Sequence, residues 1–405
     1  MNTLKFGNGE WYGKKDTILA YNDENSNYKP LPFDFSRASS ATVINKDGLI
    51  KTVGSGEPRI DYKDDSNGAL LLEPTRTNLV TYSEELDNAA WAKRSSGGGS
   101  VPIVTADVAT SPDGTTNADR VVFDAAGGTS SDQSFIRQSV SVTSGVNYII
   151  SFYLKSNTAS SQQILFVRDS AISAAITVTT SWTRFNLSFT ATSTANTNWG
   201  LFLNGNTSAS ADLLVYGAQL EIGSYATSYI PTQGSAVTRL ADSCVGAGNE
   251  QVLNDSEGTF FVNFAADFNI YNSGLTDRGI SINDGTNTNS ARIFQATSLN
   301  NRIAYDLDTS SGTNQVFNTS TAFADITDFN KVAFTYKENE FKIFLNGVQQ
   351  GSTDTNGSVF SNGTLNGISF DYGQEGNKPF FGRVKEVKYF NTALTDQELQ
   401  ALTTI

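Results

Sequence analysis

Apolar and polar residues alternate at a spacing of two through most of this chain, the pattern of strands that bury one face and wet the other. The alternation is clear in residues 147–155 (NYIISFYLK), 164–168, 176–178, 183–189 and 213–220, the last running LLVYGAQL. It restarts at about residue 258 and continues through 259–264 (TFFVNF), 279–282, 290–294, 303–307, 332–337, 341–345, 367–372 and 382–390. Asp284-Gly285 and Asn346-Gly347 fall between strands, where tight hairpins need positive φ. Two β-sandwich domains are predicted, over 79–243 and 258–405, with 244–257 as the linker. The period changes only near the end. Leu394, Leu399 and Leu402 form an apolar stripe and Thr395 with Glu398 makes a capping box, so a short C-terminal helix is expected.

Residues 32–78 hold a denser set of turns and read as a hairpin-rich anchor. Residues 42–45 and 49–53 are joined through Lys46-Asp47-Gly48, and 58–62 pairs with 69–72 across Asn67-Gly68, closed by Pro74. Arg37, Arg59, Glu73 and Arg76 sit at the strand edges, placed either to pin turns by forked ion pairs or to hold an anionic ligand; structural pairing is the expectation. Residues 1–31, with Phe6, Trp11 and Tyr12 and then Ile18 to Tyr21, carry too few apolar residues for a core of their own and read as an arm that packs on the hairpins or on a neighbour. Lys93 to Ser100 (KRSSGGGS) is expected to be a flexible loop.

Composition agrees with an all-β chain: 17% charged residues, abundant glycine, and no sustained heptad pattern in 405 residues. A net charge of −13 works against binding a phosphate backbone, so nucleic acid is not an expected partner. The absence of histidine excludes histidine-based triads and the familiar zinc sites, and the single Cys244 excludes an internal disulfide. In its small, apolar context Cys244 is expected to be buried and inert. No apolar run approaches membrane-spanning length and the N-terminus lacks a signal-peptide core, so neither membrane insertion nor Sec export is expected.

The ordered run FSRASSATVINKDGLIKTV, PRIDY and LLLEPTRTNLVTYSEELDNAAW resembles a segment of structural proteins of tailed bacteriophages. That resemblance implies a virion protein, a fibre or appendage assembled in the host cytoplasm, with other virion proteins as partners of the N-terminal region and a homo-oligomer, such as a trimer, as the assembly. The stretch from TNLVTYSEELDNAAW through SWTRFNLSFTAT to LLVYGAQLEIGSYATSYIPT resembles a carbohydrate-binding jelly roll. NKVAFTYKENEFKIFLNGVQQG and FFGRVKEVKYFNTALTDQELQALT resemble the laminin-G or concanavalin-like lectin fold, which implies a sugar site on loops at a sheet rim, in some members with calcium.

Sugar rings stack on exposed aromatic faces, so the tryptophans are candidates for binding as well as for the core. Trp91 and Trp182, within apolar alternation, are expected in the core; Trp199, between a polar loop and a strand, is the first choice for a stacking platform. Asp371 and Tyr372, at a strand end, are placed to offer a carboxylate and an aromatic ring to a sugar, or form a solvated strand end. No cofactor is expected; structural calcium stays open, with Asp284 or Asp306 as ligands, although no DxDxDG loop is present. The expected function is adhesion to host-surface glycan without catalysis. The alternatives are a bracing part of capsid, collar or tail that binds no ligand, and a polysaccharide-degrading enzyme built on a carboxylate pair.

Overall fold

The computed structural model describes residues 3–6, 11–22, 27–28, 32–168, 171–270, 275–310, 312–321, 323 and 325–405. Among them the chain is nearly all β, with antiparallel ladders between its strands, and forms two compact units. The first gathers residues 1–46, 53–74 and 240–405; the second gathers 47–52 and 75–239. The second unit is thus an insertion in the chain of the first.

The first unit is a sandwich. One sheet runs Val348–Gln349, Glu340–Leu345, Asn330–Lys337, Glu257–Ala266, Gly382–Phe390, Ala69–Leu72, Ile60–Asp61, with Thr3–Phe6 also paired to Gly382–Phe390. The other runs Gly312–Thr319, Ala304–Thr309, Ser290–Gln295, Arg278–Asn283, Gly367–Ser369. Phe260, Val262, Phe264, Val332 and Phe334 from the first sheet meet Ile280, Ile282, Ile293, Tyr305 and Leu307 from the second in one core, where the Tyr305 and Phe334 rings lie 4.9 Å apart. Alternation sends Phe261 to the opposite side, where it packs with Ala333, Phe344 and Leu399 under the helix Asp396–Thr403. That second covering explains why Glu257–Ala266 is buried almost throughout. The helix starts at the expected capping box: the Glu398 amide donates to Thr395, and the Glu398 carboxylate accepts from the Thr395 amide at 2.8 Å.

The expected hairpins form, Ala41–Ile44 with Ile50–Val53 and Ile60–Asp61 with Ala69–Leu72, with Gly48 and Gly68 both at φ 77°. The second pair extends the large sheet of the first unit, and Leu70 and Leu72 reach its core. Phe33–Ser36 likewise pairs with Ser243–Val245 on one side and Thr17–Asn22 on the other. Residues 1–46 and 53–74 therefore supply strands to the same body that residues 240–405 complete.

Three of the four charges singled out by sequence converge on one residue that sequence did not single out. Arg59, 0% exposed, donates to Glu73 at 2.5 Å, to the Asp242 carboxylate and to the Thr42 carbonyl; Arg37 donates to Asp242 at 3.0 Å and to the Gly54 carbonyl at 2.6 Å. Asp242 also accepts from the Glu73 amide at 2.8 Å. Burial works against the Arg59 charge, but the Asp242 and Glu73 carboxylates more than offset it and raise its pKa. Arg76 stands elsewhere, in the second unit, 4.0 Å from Glu221 and over the Tyr225 ring at 5.3 Å.

The second unit is also a sandwich. Its sheets run Ala92–Ser96, Gln133–Val142, Ala195–Asn204, Gln162–Arg168, Ala171–Ile172, and Ser100–Thr110, Thr116–Asp124, Ser210–Ile222, Asn147–Ser156, Thr183–Thr190. The loop expected over 93–100 is mostly strand, because Ala92–Ser96 finds a ladder partner in Gln133–Val142 and only the glycines turn. Arg76–Asn78 pairs with Val237–Arg239, so the chain enters and leaves this unit on one ladder. Asn78 secures the junction: its amide donates to the Ala218 and Ile230 carbonyls at 3.0 and 2.8 Å and its oxygen accepts from the Leu220 amide at 3.1 Å.

Candidate functional site

The strongest candidate is a cleft of about 540 Å³ in the first unit. Its floor follows from alternation. Ala291, Ile293, Tyr305 and Leu307 point into the core, so Arg292, Phe294, Asp306 and Asp308 must point out of the other face of the same sheet. Arg292 and Asp306 are direct ladder partners, and the guanidinium meets both carboxylate oxygens at 2.6 and 2.9 Å while also donating to Asp308. Burial raises Asp306 to about 6 against the opposing pull of Arg292. Arg292 Nη1 makes no hydrogen bond among the described residues.

The rim comes from loops. Asp277, Asn287, Thr297, Ser298, Asn377 and Lys378 complete the lining. Lys378 donates to Asp277 at 3.0 Å, and the Thr297 amide donates to the same carboxylate at 3.0 Å. Burial would raise Asp277, yet the Thr297 and Lys378 hydrogen bonds hold it below the usual carboxylate value. Asn287 and Gln374 bond to each other twice, at 3.1 and 3.3 Å, tying two rim loops together.

Tyr372 is in this cleft and Asp371 is not. The Tyr372 ring lies 4.5 Å from Lys378 Nζ, 5.1 Å from the Arg292 guanidinium carbon and 5.2 Å edge-to-face from Phe294. Gly279 makes room for it, since a Cβ there would come within 2.6 Å of the ring. Burial, then Asp277 and Asp306, push its phenol pKa up. At 5% exposure the ring is a wall of the cleft and offers no open face for stacking. Asp371, 1% exposed, instead accepts from the Gly373 amide at 2.8 Å, and burial raises it to about 6.

Trp199 lies in the core of the second unit. It is 0% exposed, 4.1 Å from Phe189 and 6.5 Å from Tyr148, so no ring face is open to a sugar. Trp91 is also buried, its indole donating to the Tyr82 carbonyl at 2.7 Å, whereas Trp182 is half-buried and donates to Thr110 at 3.1 Å. Asp284 is occupied with Thr286 and Asn289, and Asp306 with Arg292. Among the described residues no group of three or more histidine, cysteine or acidic side chains is set to hold a metal, and no helix is long and apolar enough to cross a membrane. Cys244 is buried, and burial pushes its thiol pKa well up.

A second polar cluster lies in the second unit. Glu84 accepts from Tyr229 at 2.9 Å, Asn117 at 3.0 Å and Tyr216 at 3.1 Å, and Asp113 shares the last two donors at 3.2 Å each. Both tyrosines are buried, so this cluster is an internal brace.

The first unit thus has the architecture of a lectin-type sandwich with a polar cleft on one sheet. A family model described as the concanavalin A-like lectin/glucanases superfamily matches residues 245–400, most of the C-terminal part of that unit. No curated protein matches the chain. Among solved structures, the CBM40 of the Ruminococcus gnavus IT-sialidase, bound to alpha2,3 sialyllactose, is 19% identical at a TM-score of 0.32, covering 40% of this chain and 94% of that one. Domain 4 of AbnA, a GH43 extracellular arabinanase from Geobacillus stearothermophilus, in complex with arabinotriose, is 14% identical at a TM-score of 0.30, covering 45% and 84%.

Proposed function

We propose that this chain is a non-enzymatic glycan-binding protein whose cleft between Lys378, Asn287 and Asp306 takes sugar hydroxyls. The observation that carries the reading is that cleft, walled by Asp277, Asp306, Asn287, Asn377 and Thr297 on a sandwich matched by a lectin-superfamily model. Sugar hydroxyls both donate and accept, and carboxylates, amides and hydroxyls at one rim meet both needs. Glycosidic cleavage needs one acid with a proton to give and another free to attack or to activate water. Both Asp306 oxygens accept from Arg292, and Asp277 accepts from Thr297 and Lys378, which supports binding over cleavage.

The placement proposed for this activity is a phage particle, on the resemblance of the FSRASSATVINKDGLIKTV to LDNAAW run to phage structural proteins. In this reading the N-terminal region docks on other virion proteins in the host cytoplasm, and a symmetric homo-oligomer such as a trimer multiplies weak sugar contacts. Glycan-array screening followed by calorimetry tests the site. The variant Asn287→Ala/Asn377→Ala is expected to bind at least ~10-fold more weakly while still melting cooperatively, since each lost amide contributes about 1 kcal/mol; unchanged binding rejects the cleft. Immunogold microscopy of particles tests the placement, and label on particles combined with no glycan binding favours a bracing part.

A further inference from the structure

Resting on the reading of the cleft as a sugar site, we infer that its ligand is a neutral glycan and that acidic sugars are excluded. The charged residues lining the cleft are Arg292 and Lys378 against Asp277 and Asp306, and Asp308, outside the lining, adds a further carboxylate to Arg292, so no positive charge is in excess. Neither cation is spare. Lys378 Nζ is 3.0 Å from Asp277 and 4.5 Å from the Tyr372 ring, and the Arg292 guanidinium is shared between Asp306 and Asp308. A sugar carboxylate or sulfate would either draw a cation away from its aspartate or accept from Arg292 Nη1 while Asp306 and Asp308 stay on the same guanidinium, and in both cases it stands beside carboxylates already in place. Like charges brought together without compensation suppress binding of the wrong partner.

A neutral sugar meets no such conflict. Asn287, Asn377, Thr297 and Ser298 line the rim, and Arg292 Nη1 is open to donate to an uncharged hydroxyl. The net charge of −13 for the whole chain adds a longer-range repulsion of acidic polysaccharide that weakens with salt.

The test is a comparison of matched glycan pairs, neutral oligosaccharides against the same chains carrying a uronic acid, a sialic acid or a sulfate, on the full-length protein at two ionic strengths. Neutral members are expected to bind at least 10-fold more tightly, with a ratio that grows at low salt. Equal or tighter binding of the acidic members overturns the inference while leaving the cleft a sugar site. Absence of binding by either class rejects the sugar reading itself, and the inference with it. The variant Asp277→Asn releases Lys378 from its ion pair, so the neutral-to-acidic ratio is expected to fall about 10-fold; a ratio unchanged in a folded Asp277→Asn protein overturns the charge argument.

Discussion

Trp199 shows how much a single side chain's environment decides. Its ring is enclosed by Phe189 and Tyr148, and truncation leaves a void that the surrounding sheets cannot fill. Trp199→Ala is expected to lower stability by about 3 to 5 kcal/mol in chemical denaturation. Glycan affinity of the protein that remains folded is expected to be unchanged, since the cleft belongs to the other unit. Asp371 carries a different signature. Burial raises its pKa to about 6, above the roughly 3.9 of an unfolded aspartate. The native state therefore holds this proton more tightly, and its contribution to stability is largest below about pH 4 and declines as pH rises to 6. Asp119 and Asp306, also raised to about 6 by burial, add in the same direction. Asp371→Asn keeps an oxygen for the Gly373 amide and removes the buried charge. It is expected to stabilise the protein by up to about 2 kcal/mol at pH 7 and to flatten the stability profile between pH 4 and 6, measured by urea unfolding at each pH.

At the scale of elements, the hairpins and the capped helix were legible because their causes are local. Gly48 and Gly68 take positive φ, and Thr395 with Glu398 closes the box. The period of two also located most strands. The cleft and the ion network were harder to read because their parts meet only in the fold. Arg292 finds Asp306 across a ladder, and Arg59 finds Asp242 although 183 residues separate them. Tyr372 was recognised as a candidate from its place at a strand end, but nothing in the order of residues announces Lys378, Asp277 and Asn287 as its neighbours. The glycine-rich run after Lys93 reads as a loop only until the partner strand Gln133–Val142 is in place. The Arg59 network pins segments far apart in the chain, so its loss should be felt as destabilisation. Arg59→Ala removes the guanidinium that Glu73 and Asp242 share, while Arg37 stays paired with Asp242. Breaking a buried pair from one side costs about 3 to 5 kcal/mol, and a fall of that size in thermal or urea unfolding is the expected result.

For the whole molecule, the family match over 245–400 is smaller than the body that contains it. Ala69–Leu72 lies beside Gly382–Phe390, and Phe33, Phe35, Leu70 and Leu72 share the core with Phe260 and Phe334. Residues 245–400 expressed alone are therefore expected to be aggregated or to bind ANS. Residues 1–74 joined by a short Gly-Ser linker to 240–405 are expected to give a cooperative melt, because the Asp242 amide already donates to the Glu73 carbonyl at 3.0 Å and the ends to be joined are adjacent. A cooperative melt from 245–400 alone contradicts this assignment.

The interrupted chain path also sets an order of events during translation. Residues 1–74 leave the ribosome first, yet the strands they must join are made only after residue 240. The inserted sandwich can close while the edge of Ala69–Leu72 that pairs with Gly382–Phe390 is still open. A nascent product halted before residue 240 would therefore expose sticky β-edges beside an intact module, making premature termination a source of aggregation.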